Sequence, residues 1–101
     1  MKVGLLTGGG DAPGLNSAIR AVVKKCESYG FEVVGIKYGW AGLLKLDTMK
    51  LKYEDIKDAI RRGGTILKTS RTNPQKLPDG MEKAVQNFKK LGLDALIAIG
   101  G

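Results

Sequence analysis

The sequence has 101 residues, 43% of them hydrophobic and 27% charged, with a formal net charge of +7. That length allows at most one folded unit with a modest core, and the composition excludes a disordered chain. A single cysteine, Cys26, and the absence of histidine exclude an internal disulfide, a histidine-based triad and a histidine-ligated metal site.

Val3-Gly4-Leu5-Leu6 is a short apolar run bounded by glycines, and residues 2–6 read as a buried strand. Thr7-Gly8-Gly9-Gly10-Asp11-Ala12-Pro13-Gly14 follows as a loop. A helix is predicted from about Asn16 to Ser28, because Leu15, Ala18, Ile19, Val22, Val23 and Cys26 form an apolar stripe. Cys26 lies on that stripe and reads as a buried thiol. Gly30 is placed to cap the helix. Phe31 to Ile36 is a β-branched second strand, and Trp40 follows it in a loop between two glycines. Residues 44–52 suggest only a short helical turn and an irregular excursion. Tyr53 to Arg62 reads as a helix, and Thr65 to Lys68 as a short third strand opening into Thr69-Ser70-Arg71-Thr72-Asn73-Pro74. Asp79 is positioned to start a further helix to Leu91, with Met81, Ala84, Val85, Phe88 and Leu91 as its apolar side. Ala95 to Ile99 carries no charge, as in the middle of a parallel sheet, and runs into Gly100-Gly101.

Alternation of strands and helices predicts a parallel sheet with helices on its faces and right-handed crossovers. Ligands of such sheets bind beyond the C-terminal strand ends. The residues suited to phosphate chemistry collect there. Glycines at 8–10 allow close backbone approach, and the helix start behind them offers unpaired N–H groups to an anion. Arg71 brings a guanidinium for phosphate oxygens, and Trp40 is either a packing residue under a loop or a flat wall for a base. Neither G-x-G-x-x-G nor a Walker A loop is present, and no acidic residue ends the second strand as a ribose partner. The lysines are scattered without a basic run or interleaved aromatics, so no nucleic-acid partner is expected. No apolar run approaches the ~20 residues of a membrane span, and Met1-Lys2-Val3-Gly4 lacks a signal-peptide layout; the expected location is the cytoplasm.

Gly8-Gly9-Gly10-Asp11-Ala12-Pro13-Gly14-Leu15-Asn16, with Ala18-Ile19-Arg20 behind it, resembles the N-terminal signature of phosphofructokinases. Gly35-Ile36, Gly39-Trp40-Ala41-Gly42-Leu43, Gly63-Gly64-Thr65 and Ser70-Arg71 recur at that family's spacing. Leu93 to Gly101 is similar to the strand that enters the family's Gly-Gly-Asp motif. The resemblance spans the whole chain. It implies an α/β three-layer sandwich with a mostly parallel sheet, of which residues 1–101 are the N-terminal, phosphoryl-donor-binding portion, truncated at the Gly-Gly loop.

The implied reaction is phosphorylation of carbon 1 of fructose 6-phosphate, a glycolytic step, with ATP as donor or alternatively pyrophosphate, and with Mg2+. The carried-over donor site comprises Gly9, Gly10, Asp11, Trp40, Arg71, Thr72 and Gly101. The magnesium ligand, the catalytic base and the sugar-phosphate site are expected beyond Gly101, so no catalytic or metal-binding residue is assigned within the chain. The fragment alone is expected to be inactive, and the full-length enzyme to be a homo-oligomer. Arg20 stands where allosteric bacterial members bind a nucleotide effector, but Lys24 and Tyr53 replace arginines there, so a surface or interface role is read for Arg20. Two further readings stay open: a non-catalytic phosphate- or nucleotide-binding module, and an oxidoreductase domain on a dinucleotide site.

Overall fold

The computed structural model describes residues 1–8, 15–56, 67 and 74–100. In chain order its elements are β1 (Lys2–Gly8), α1 (Leu15–Ser28), β2 (Glu32–Ile36), α2 (Trp40–Lys45), β3 (Thr48–Leu51), α3 (Tyr53–Ile56), a 3-10 turn (Pro74–Lys76), α4 (Gly80–Lys90) and β4 (Ala95–Gly100). The strands form one sheet in the order β3-β2-β1-β4. β1 runs parallel to both β2 and β4, while β3 is antiparallel to β2.

Alternation along the strands builds two cores. Val3 and Leu5 of β1 and Val33 of β2 face α1, where Ile19, Val23 and Cys26 pack with Leu51, Ile56 and Leu67. Leu6, Val34 and Ile36 face the other way, onto Leu43 of α2 and Ala84 of α4. The result is three layers: α1 and α3, the sheet, then α2 and α4. α1 lies between β1 and β2, whereas β4 joins the opposite side of β1 after α4. α1 therefore packs on one face of the sheet, and α2 and α4 pack on the other.

α1 ends as its sequence predicts. Gly30 has φ +76°, its N–H donates to Glu27 O at 2.9 Å, and Phe31 N–H donates to Cys26 O at 2.9 Å. These two bonds form a Schellman cap. α4 ends the same way through Gly92, with Leu93 N–H donating to Phe88 O.

Several expectations change. The first strand runs on through Thr7 and Gly8, which the sequence reading places in the loop. Residues 48–51, read as irregular, form β3, antiparallel to β2, and the sheet as a whole is mostly parallel, as the fold class implies. Residues 37–47 leave β2 at its C-terminal end and are too few to cross back to the start of the sheet. The short return is therefore antiparallel. Leu46, at φ 60°, reverses the chain. Among the described strands β4 pairs with β1, and it is partly exposed.

In α4 the buried positions are Gly80, Ala84 and Asn87, while Met81 and Val85 are exposed at 50% and 48%. Asp79 makes no side-chain cap; only its carbonyl enters the helix, accepting from Lys83 N–H. The strand read at Thr65 to Lys68 lies outside the described residues except for Leu67, which is fully buried in a turn. Of the helix read at Tyr53 to Arg62, residues 53–56 are described and helical.

Candidate functional site: the C-terminal edge of the sheet

Because β1, β2 and β4 are parallel, their C-terminal ends share one edge. The chain beyond β1 leads to α1 on one face, and the chain beyond β2 leads to α2 on the other. Adjacent strands whose exits part in this way open a crevice, the usual ligand position of an open α/β sheet. Gly8, Gly39, Trp40 and Gly100 meet at it.

The contacts there are close. Gly39 has φ +60°, and a methyl group on it would sit 2.7 Å from Thr7 O. Gly100 has φ +119°, and a methyl there would lie 2.3 Å from Gly8 O. Both positions therefore require glycine on steric and conformational grounds. Thr7, between these contacts, is fully buried. The glycines let three strand ends converge and leave backbone, rather than side chains, lining the edge.

Trp40 is the first residue of α2, not a loop residue as its flanking glycines suggest. Its ring lies over Gly8, with Nε1 3.7 Å from where a Gly8 methyl would be. It also packs against the core cluster of Leu6, Val34, Ile36 and Leu43. Trp40 thus packs at the root of the glycine loop. Of the other residues read as donor-binding, Gly9, Gly10, Asp11, Arg71, Thr72 and Gly101 lie outside the described residues. Pro74, three residues after Arg71, is buried in the 3-10 turn, which packs on both α2 and α4. The described end of that loop is therefore anchored beside the helix that carries Trp40.

One buried polar side chain escapes the sequence reading. Asn87, 8% exposed, donates from Nδ2 to Leu43 O at 2.8 Å and to Leu44 O at 3.0 Å. Both partners are acceptors, so the amide nitrogen is the atom that faces them. Gly42 is as constrained: a methyl on it would stand 1.6 Å from Lys37 O.

A second cluster lies across the sheet. Arg20 donates from Nη2 to Tyr53 Oη at 2.9 Å, and its guanidinium stands 5.5 Å from the Tyr53 ring centroid. Lys24 Nζ is 5.6 Å from the same centroid. With Ser17 and Ala21 these side chains line an open groove of about 230 Å³. The Glu27 carboxylate caps α3 by accepting from Tyr53 N–H at 2.5 Å. Cys26 is buried as expected, and desolvation pushes its thiol above the ordinary value of 9.0. Among the described residues there is no group of three His, Cys, Asp or Glu that could hold a metal ion. Among the same residues, no helix is long and apolar enough to cross a membrane.

The phosphofructokinase family model matches residues 2–101. The chain belongs to the phosphofructokinase family. A pyrophosphate–fructose 6-phosphate 1-phosphotransferase of Dictyoglomus thermophilum is 62% identical over 101 residues, covering all of this chain and 29% of the relative. An ATP-dependent 6-phosphofructokinase of Shouchella clausii (strain KSM-K16) is 46% identical over 100 residues, covering 99% of this chain and 31% of the relative. The crystal structure of Pichia pastoris phosphofructokinase in the T-state superposes with a TM-score of 0.91 at 36% identity, covering 99% of this chain and 11% of that one. The chain thus spans under a third of the length of the curated relatives it matches.

Proposed function

We propose that the protein, at its full length, transfers a phosphoryl group to carbon 1 of fructose 6-phosphate, and that residues 1–101 supply part of the donor site. Membership of the phosphofructokinase family across residues 2–101 carries this reading. The crevice supports it, because a backbone-lined edge suits the close approach of a polyphosphate. In this reading Gly9, Gly10 and Asp11 form the loop against the donor phosphates, with Gly101 on the opposite wall. Arg71, with Thr72 beside it, neutralises phosphate charge as phosphoryl transfer requires. Magnesium, when bound, would neutralise the charge that develops on the donor phosphates, through ligands expected beyond Gly101. The enzyme is read as a cytoplasmic homo-oligomer.

ATP is the donor in the first reading, with Trp40 as a wall near the base. A second reading, pyrophosphate as donor, is favoured by the 62% identity to a pyrophosphate-dependent relative against 46% to an ATP-dependent one. The test expresses the full reading frame and assays fructose 6-phosphate phosphorylation with each donor and magnesium. Activity with one donor supports the proposal and names the donor; activity with neither refutes it. In the active enzyme Arg71→Ala raises donor KM or lowers kcat by about tenfold or more, as loss of a charged phosphate contact implies. Unchanged constants would remove Arg71 from the site.

A further inference from the structure

We infer that Asn87 is a positioning residue for the donor site: through α2 it holds Trp40 against Gly8. This rests on the reading of the β1–β2 crevice as the donor site.

α2 has only six residues, too few to be stable alone, and no side chain caps its N-terminus. Its placement must come from tertiary contacts. At its C-terminus, Gly42 O accepts from the N–H groups of Leu46 and Asp47. The next two carbonyls, Leu43 and Leu44, are claimed by the Asn87 amide. Asn87 therefore caps two terminal carbonyls of α2 from a different helix, at a buried position where water offers little replacement. Trp40 stands at the other end of α2, four residues and about 6 Å along the axis from Leu44. A tilt of so short a helix at its held end moves the ring away from Gly8, the last described residue before the glycine loop. The 3-10 turn that begins at Pro74, three residues after Arg71, packs on the same two helices. The Asn87 bonds thus join the supports of two donor-site elements.

The experiment uses the full-length enzyme with fructose 6-phosphate and whichever donor it accepts. Asn87→Leu keeps the branched shape and heavy-atom count and removes the donor atoms. Donor KM should rise about fivefold to tenfold, the worth of a buried hydrogen-bond pair, with the fructose 6-phosphate KM unchanged within about twofold. Trp40→Ala should raise donor KM as well, and the double variant should be no worse than the more impaired single one. Trp40 emission, taken as the difference between Asn87→Leu and the same variant with Trp40→Phe, should shift from its wild-type position. Equal damage to both KM values, or effects that multiply in the double variant, would overturn the inference. If Trp40→Ala leaves donor KM unchanged, the placement of Trp40 at the donor site fails. The emission then decides on Asn87 alone, and an unshifted band rejects its role. Should Asn87→Leu not fold, Asn87→Ser, too short to reach both carbonyls, takes the same tests.

Discussion

Single residues decide the packing. Leu5 and Ile19 are fully buried and meet across the sheet–α1 interface. Leu5→Ala should destabilise the protein by about 3 kcal/mol, combining lost transfer energy with a residual cavity. A urea unfolding series would show this as a lower midpoint at an unchanged slope. Cys26 gives a pH-dependent counterpart. Burial raises its thiol pKa in the folded state, so the folded chain holds the proton more tightly than the unfolded one. That stability is fully present below the unfolded thiol pKa and is lost as pH rises through the folded value. Stability of the parent protein should therefore fall more steeply above pH ~9 than that of Cys26→Ala. Equal slopes in alkaline unfolding would assign the pH dependence elsewhere. In the sequence Cys26 was already legible as buried, because it continues the spacing set by Ile19 and Val23.

At the scale of elements, α2 and α4 show how a local pattern misleads. Met81 and Val85 fit an apolar helical stripe, yet they face solvent, while polar Asn87 faces inward. Periodicity ranks residues by transfer energy, and a buried amide defeats that ranking when two carbonyls wait for it. Trp40 was misplaced for a related reason. Glycines on either side of it suggest a loop, but Gly42 is there because α2 crosses close to Lys37 O. Gly42→Ala must displace backbone, and we expect a loss of about 2–3 kcal/mol, at the upper end of overpacking costs. Calorimetry should show a clearly lower Tm; an unchanged Tm would mean that α2 can shift freely.

For the whole molecule, the sheet order sets what is protected and what is open. Among the described strands β1 and β2 have a neighbour on each side, while β3 and β4 stand at the ends of the order. Amide exchange should be slowest in β1 and faster in β3, with rates reporting local opening. Uniform protection over all strands would contradict this. The exposed Lys2–Glu32 pair, 3.8 Å apart, adds little; removing Glu32 should change stability by under about 1 kcal/mol.

The sequence by itself determined the α/β class, the ends of α1, the burial of Cys26 and the glycine-rich stretches that name the family. Each of these rests on local spacing or on a backbone need that a single residue declares. Only the tertiary structure decided the antiparallel β3, the pairing of β4 with β1, the inward turn of Asn87 and the packing of Trp40 on Gly8. Those depend on which groups far apart in the chain become neighbours. A glycine demanded by the Thr7 or Gly8 carbonyl looks the same in sequence as one demanded by a turn.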